Sequence, residues 1–331
     1  MKKVGLCLGK YAPFHRGHGL VIETALSEMD LVLVLIYNSH VTSIPLKKRA
    51  DWIRRIYPER VKVIEAYDGP EETGYSPEIK SKQEAYVLKK LTGWQIHSFY
   101  SSEPYGEHMS RALGCRNRQV DCQRLQFPIS ATLLREDPYT YRRFLSPEVY
   151  FDHVIKVVFH GAPSTGKTTI SEALARKFHT AWMPEYGREY WEKHEVDRRL
   201  SPRQLLEIAC EHRKRELRDV YEARDFYFID TCALSTYHFA LDYHGTALPE
   251  LCRLADEAGS RYDLHILCGD DIPYDDTPDR SGEVYRSRFQ KRFEKDLQKR
   301  QIPYILLTGS LEERIEKVSI LLKHTKELHS C

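Results

Sequence analysis

Two stretches of this chain carry residues of the kind that handle phosphate. "GAPSTGKTT" at 161–169 satisfies G-x-x-x-x-G-K-[ST] through Gly161, Gly166, Lys167 and Thr168. Glycines there let successive backbone N–H groups turn inward on phosphate oxygens. The lysine places a point charge near the β- and γ-phosphates, and the hydroxyl after it can ligate Mg²⁺. Ser164, Thr165 and Thr169 complete this loop as phosphate-binding candidates. A metal held this way needs a carboxylate on a neighbouring strand. "FYFID" at 226–230 closes an apolar run on Asp230 and fits that role, with a turn-capping aspartate as the other reading. An accepting hydroxyl needs a base, and "WMPEYGREY" at 182–190 puts Glu185 just past an apolar run, beside the γ-phosphate. A solvated loop acid is the alternative. Lys167, Glu185 and Asp230 are the catalytic candidates of this half. Further on, "DRSGEVYRSRFQKRF" at 279–293 contains Arg280, Arg286 and Arg288. Arginines on a mobile lid can close over a transferring phosphoryl group, and a solvated helix face accounts for the later ones equally well.

The second stretch, "GKYAPFHRGH" at 9–18, sets His15 and His18 three residues apart where a loop turns into a helix. Gly9 permits a tight exit from the preceding strand, Pro13 stiffens the turn, and Gly17 allows close backbone approach to a ligand. The histidines then converge on the positive end of a helix dipole, a favourable place for polyphosphate. As donors they would stabilise charge building on a pentacoordinate α-phosphate. A metal pair is the weaker alternative, because no third ligand lies nearby; two exposed loop histidines are another. "ISATLLR" at 129–135 adds Ser130, Thr132 and Arg135 at a second helix start, with Ser130 placed to cap it. Donors of that kind grip the β- and γ-phosphates that leave as pyrophosphate.

The elements that must position these residues alternate as in an α/β protein. Strands are predicted at 3–8, 31–37, 61–65 and 96–102, with helices over 17–28, 46–56 and 78–91, one in "PYGEHMSRALG" and one opening in "PISATLLRED". After "LSPEVYFD" the pattern restarts. "VIKVVFHG" reads as a buried strand leading through the glycine-rich turn to a helix over 167–178. "HTAWM", "FYFID", "LHILC" and "YILLT" supply further strands. The expectation is two parallel-sheet domains, residues 1–148 and 149–331.

The 331 residues are 41% hydrophobic and 30% charged, ordinary globular material. A net charge of +2 gives no global basic field, so nucleic acid is not an expected partner. The longest apolar run, "LVLVLIY", is too short to span a bilayer. The eight cysteines are scattered without a CxxC pair, which reads as reduced thiols in a cytoplasmic protein.

"GKYAPFHRGH" resembles the G-x-[FY]-x-P-x-H-x-G-H signature of the HxGH nucleotidyltransferases, and "ISATLLR" resembles their I-S-x-T-x-x-R partner. Together with the downstream P-loop, "SSEPYG" at 101–106 and "REDPYTYRRFLSPEVY", they resemble the bifunctional nicotinamide-nucleotide adenylyltransferase/ribosylnicotinamide kinases of the NadR type over nearly the whole chain. The resemblance implies a Rossmann-like HxGH domain followed by a P-loop kinase domain. It implies phosphorylation of nicotinamide riboside to nicotinamide mononucleotide (NMN) in the second, and adenylylation of NMN to NAD and pyrophosphate in the first. ATP would be the co-substrate and Mg²⁺ the metal in both, with a homo-oligomer possible. It also implies that Gly9, Lys10, Tyr11, His15 and His18 form the triphosphate loop and that Ser130, Thr132 and Arg135 form the second phosphate motif. Arg49 in "PLKKRADWI" takes a matching basic position, and Ser101 and Glu103 line the adenosine pocket.

Two departures stand out. Some members carry an amino-terminal helix-turn-helix that binds DNA; with the first strand starting by residue 3, none is expected here. Members also stack nicotinamide on an aromatic, and the stretch before "SSEPYG" offers Tyr75, Tyr86 and Trp94, none at a matching position. A coenzyme A synthase, which pairs an HxGH adenylyltransferase with a dephospho-coenzyme A kinase, shares both signatures. A nucleotide sensor that binds without turnover is the non-enzymatic alternative.

Overall fold

The runs VGLCLG and LVLVLIY form β1 (Val4–Gly9) and β2 (Leu31–Tyr37). Such unbroken apolar segments suit a parallel sheet covered on both faces. The computed structural model describes residues 2–40, 42–70, 72, 74, 76–194, 199–273 and 283–329. It divides into two units, Met1–Tyr150 and Phe151–Cys331.

In the first unit β3 (Val61–Ala66), β4 (Ser98–Ser101) and β5 (Arg116–Gln119) join β1 and β2 in the order β3-β2-β1-β4-β5. Every pairing is parallel, with Leu6 opposite both Leu33 and Phe99. The helix Arg16–Glu28 turns Val21, Ile22 and Ala25 inward at helical spacing. Leu6, Leu33, Leu35 and Phe99 form a core with Val87 and Met109 from the helices and with Leu91, which caps the helix Pro77–Lys90. Ser76 caps the helix Pro77–Lys90 by accepting from Ile79 N–H, with proline at its first position. The edge strand β5, "RNRQ", is polar throughout. It carries no apolar alternation, so the sequence does not predict it.

In the second unit β6 (Ile155–His160), β7 (Ala181–Met183), β8 (Phe226–Asp230), β9 (Leu264–Cys268) and β10 (Ile305–Leu307) form another parallel sheet, ordered β10-β9-β6-β8-β7. Val157, Phe159, Phe228 and Ile266 pack with Ile170 and Leu174 of the helix Lys167–Phe178 and with Val318 and Leu322 of the helix Leu311–His329. Truncating Phe159 or Phe228 to alanine would cost about 3–5 kcal/mol. Lys156 is buried in β6, yet its ammonium is satisfied by Asp263 at 2.7 Å and by the carbonyls of Phe151 and Val154.

Each sheet reverses its strand order around its first strand. β1 lies between β2 and β4, and β6 between β9 and β8. Crevices at the carboxyl ends of such strands are where open α/β sheets bind ligands. Among the described residues, no helix is long and apolar enough to cross a membrane.

Candidate active sites

Gly9 ends β1, and the chain passes through buried Tyr11, Ala12 and Phe14 to His15, the N-cap of the helix Arg16–Glu28. His15 N–H donates to His18 Nδ1 at 3.3 Å, and the two rings stack with centroids 3.7 Å apart. Tyr11 packs edge-on against His18 at 4.9 Å. A Cβ on Gly17 would sit 3.1 Å from the His15 ring, a tight contact that the glycine avoids. Burial, with the charge of Arg124 adding, pushes His15 down to about 4. Burial, His15 and Arg124 hold His18 well below the usual histidine value. Both rings are therefore neutral at pH 7. Since His18 Nδ1 accepts, its proton sits on Nε2, which makes that nitrogen a hydrogen-bond donor. A neutral donor at a helix N-terminus can stabilise charge on a phosphoryl oxygen.

The second motif docks on the first. Arg135 Nη1 donates to Ala12 O at 2.6 Å, and Arg135 Nη2 to Thr132 Oγ1 at 3.1 Å. Ser130 caps the helix Ala131–Glu136 by accepting from Leu133 N–H. Exposed Arg124, whose charge reaches both histidines, was not predicted; it sits in an irregular segment with no motif of its own.

Arg49 differs from its sequence reading. It is fully buried, and its guanidinium donates to the carbonyls of Ile44 and Lys10 and to Tyr37 O at 3.3 Å. A group tied to three backbone carbonyls buttresses the loop and offers no free fork to phosphate. Ser101 is buried and donates to Glu103 O, while Glu103 is exposed, 3.9 Å from Arg124. Tyr86 and Trp94 pack against the first unit's core, and Tyr75 lies outside the described residues.

In the second unit the P-loop leaves β6 at Gly161, whose φ is +138°. A side chain there would be strained, and its Cβ would fall 2.8 Å from Cys268 O. Ala162 N–H donates to Gln290 Oε1, and Gln290 Nε2 donates to Cys268 O, so one buried amide clamps the loop to β9. Arg314 is buried and donates to Thr165 O at 2.8 Å and to Asp271 Oδ1 at 2.6 Å. Neither Gln290 nor Arg314 carries a sequence signal, since each acts from a distant helix. Thr165 Oγ1 and Lys167 Nζ both donate to Ala162 O at 2.9 Å. Ser164 and Thr169 line the same cavity.

Thr168 Oγ1 donates to Asp230 Oδ2 at 2.5 Å. Asp230 Oδ1 is buried with no partner among the described residues. Burial and the charge of Glu185 push Asp230 up to about 6, against the pull of Lys167, the Thr168 hydroxyl and His212. An orphaned carboxylate oxygen beside a P-loop threonine fits a divalent cation. Among the described residues no group of three His, Cys, Asp or Glu could hold a metal, so phosphate oxygens would have to complete its shell.

The cavity over this loop has a volume of about 810 Å³. Beyond the P-loop it is lined by Glu185, Arg188, Trp191, His212, Phe239 and Tyr243. Arg286 also differs from its reading. It is buried and donates to Ile272 O at 2.9 Å, holding the segment after β9. Arg288 is exposed, and Arg280 lies outside the described residues.

Residues 6–137 match the cytidylyltransferase-like family and residues 156–314 match the AAA domain family. Two curated relatives are the trifunctional NAD biosynthesis/regulator protein NadR of Salmonella typhimurium, 29% identical, and that of Escherichia coli, 28% identical. Each alignment covers 92% of this chain and 78% of the relative. A probable nicotinate-nucleotide adenylyltransferase of Thermotoga maritima is 26% identical over 40% of this chain and 80% of its own length. A NadR crystal structure in complex with NAD and AMP-PNP superposes with a TM-score of 0.55 at 21% identity, covering 98% of this chain and 97% of that one. Another, in complex with NR, gives 0.52 at 22% identity, covering 93% and 90%.

Fold and sites thus define a two-domain, nucleotide-using transferase: a nucleotidyltransferase followed by a P-loop kinase. The chain is similar to the NadR proteins along nearly its whole length.

Proposed function

We propose that the chain makes NAD from nicotinamide riboside in two steps, with residues 149–331 as ribosylnicotinamide kinase and residues 1–148 as NMN adenylyltransferase. The observation that carries this reading is the pair of phosphate-type turns at the carboxyl ends of β1 and β6, in a chain similar to NadR across both.

In the kinase step the ribose 5′-oxygen attacks the γ-phosphorus of ATP. Its proton passes to Glu185 and ADP leaves. Gly161, Ser164, Thr165, Gly166 and Thr169 cradle the phosphates, while Lys167 neutralises charge on the transferring group. Thr168 and Asp230 would hold Mg²⁺, which when bound offsets charge on the phosphate oxygens. Trp191, Phe239 and Tyr243 supply faces suited to a flat cationic ring such as nicotinamide.

In the adenylyl-transfer step an oxygen of the NMN phosphate attacks the α-phosphorus of a second ATP and pyrophosphate leaves. Lys10 and the donor face of His18 meet the triphosphate, His15 holds His18, and Ser130, Thr132 and Arg135 face the leaving group. No covalent intermediate is needed, so positioning and electrostatics carry both steps.

Supplying nicotinamide riboside, ATP and Mg²⁺ and following products over time tests the reading. NMN should appear first and NAD and pyrophosphate after it. Phosphorylation of dephospho-coenzyme A with the riboside left untouched would overturn it.

A further inference from the structure

We propose that His212 recognises the sugar of the phosphoryl acceptor, its Nε2 sharing a hydrogen bond with the ribose 2′,3′-diol; this rests on the kinase reading above. His212 sits on the helix Pro202–Asp219 and is only 3% exposed, yet it lines the cavity above the P-loop. Its Nδ1 lies 3.1 Å from Glu216 Oε1, one helical turn on. Glu216 is completely buried and heavily anchored. Arg261 donates to its Oε2 through Nε at 2.8 Å and Nη2 at 2.5 Å, and the Tyr262 hydroxyl donates to its Oε1 at 2.7 Å.

That anchoring decides the chemistry of the ring. Burial alone would raise the Glu216 carboxyl, but Arg261, His212 and Tyr262 bring it down to about 2, so it is an ionised acceptor. His212 Nδ1 must then be the donor to it, and Nε2 is the ring nitrogen left to bond elsewhere. Nε2 is buried with no partner among the described residues. An unpartnered nitrogen on a residue that lines the cavity calls for a partner from the substrate.

Nicotinamide riboside offers three kinds of donor: the 5′-hydroxyl, the 2′,3′-diol and the carboxamide. The 5′-hydroxyl is directed at Glu185. The carboxamide is at the far end of the molecule, whereas His212 lies within electrostatic reach of Asp230 at the phosphoryl-transfer end. The diol lies between these two groups and is the one left to pair with Nε2. A site built to receive a hydroxyl rejects an analogue lacking it.

The test compares nicotinamide riboside with its 2′-deoxy and 3′-deoxy analogues. At least one deletion should lower kcat/KM of the unaltered protein about tenfold. His212→Phe, which keeps the ring volume, should raise KM for the riboside about tenfold, leave KM for ATP unchanged, and erase discrimination against that deoxy analogue. Equal use of all three substrates by the unaltered protein would overturn the proposal without any variant. A His212→Phe protein that loses kcat while still discriminating would also overturn it, and would reassign the ring to proton transfer. Failure of the unaltered protein to phosphorylate nicotinamide riboside at all would instead remove the kinase reading, and this inference with it.

Discussion

Thr168 Oγ1 and Asp230 Oδ2 are 2.5 Å apart, so the first turn of the P-loop helix is bonded directly to the end of the neighbouring strand β8. The bond occupies one carboxylate oxygen and leaves the other, Oδ1, buried with no partner among the described residues. Its surroundings push the carboxyl up to about 6. A carboxyl raised in the folded state binds its proton more tightly there than in the unfolded chain. Its contribution to stability is therefore lost as pH rises from the ordinary aspartate range through 6.

Asp230→Asn should accordingly abolish riboside phosphorylation while raising the melting temperature by about 2–4 °C at pH 7. The same titration should make kcat/KM of the kinase step fall below pH 6. Adenylyl transfer should show no inflection at 6.5, because His15 titrates near 4. Coincident pH profiles for the two reactions, measured on one preparation, would refute this.

Lys167→Ala should eliminate the kinase step and leave adenylylation of supplied NMN within about twofold. His18→Ala should do the reverse, lowering kcat of adenylyl transfer about a hundredfold through loss of a transition-state donor. Paired assays check both, and one substitution silencing both reactions would contradict independent sites.

Glu185 stands just beyond β7 on the cavity wall, and its charge is felt at Asp230. Glu185→Gln should slow phosphoryl transfer about a hundredfold or more without changing nucleotide affinity. Single-turnover kinetics alongside ATP titration separate the two quantities, and unchanged turnover removes Glu185 as the base.

Arg49→Ala should act on stability, because it strands the carbonyls of Lys10, Tyr37 and Ile44 in a buried setting. The expected loss is about 3 kcal/mol. Calorimetry of the first unit's transition measures it. An unchanged transition accompanied by a large rise in KM for ATP would return Arg49 to the phosphate site.

Hydrophobic runs and turn chemistry made most of the framework readable. LVLVLIY and FYFID become β2 and β8 over the residues the sequence predicts, and the helix Lys167–Phe178 starts where the glycine-rich turn ends. These elements are specified locally, by burial of continuous apolar surface and by the φ > 0 that Gly161 and Gly166 supply. The polar edge strand β5 was hidden because pairing with β4, and no pattern of its own, makes it a strand.

The phosphate-type turns were legible for the same local reason: their residues are neighbours in the chain. Arg49 and Arg286 read equally well as phosphate ligands until packing buried them against backbone carbonyls. Gln290, Arg314 and His212 had no reading at all, since their roles come from partners such as Ala162, Thr165 and the cavity wall. Sequence by itself determined where the two strand-to-helix turns fall, because that depends on adjacent residues and backbone freedom. Which cations are tied to backbone carbonyls and which buried groups line the cavity was decided by tertiary structure alone, because burial and long-range hydrogen bonding exist only once the sheets are assembled.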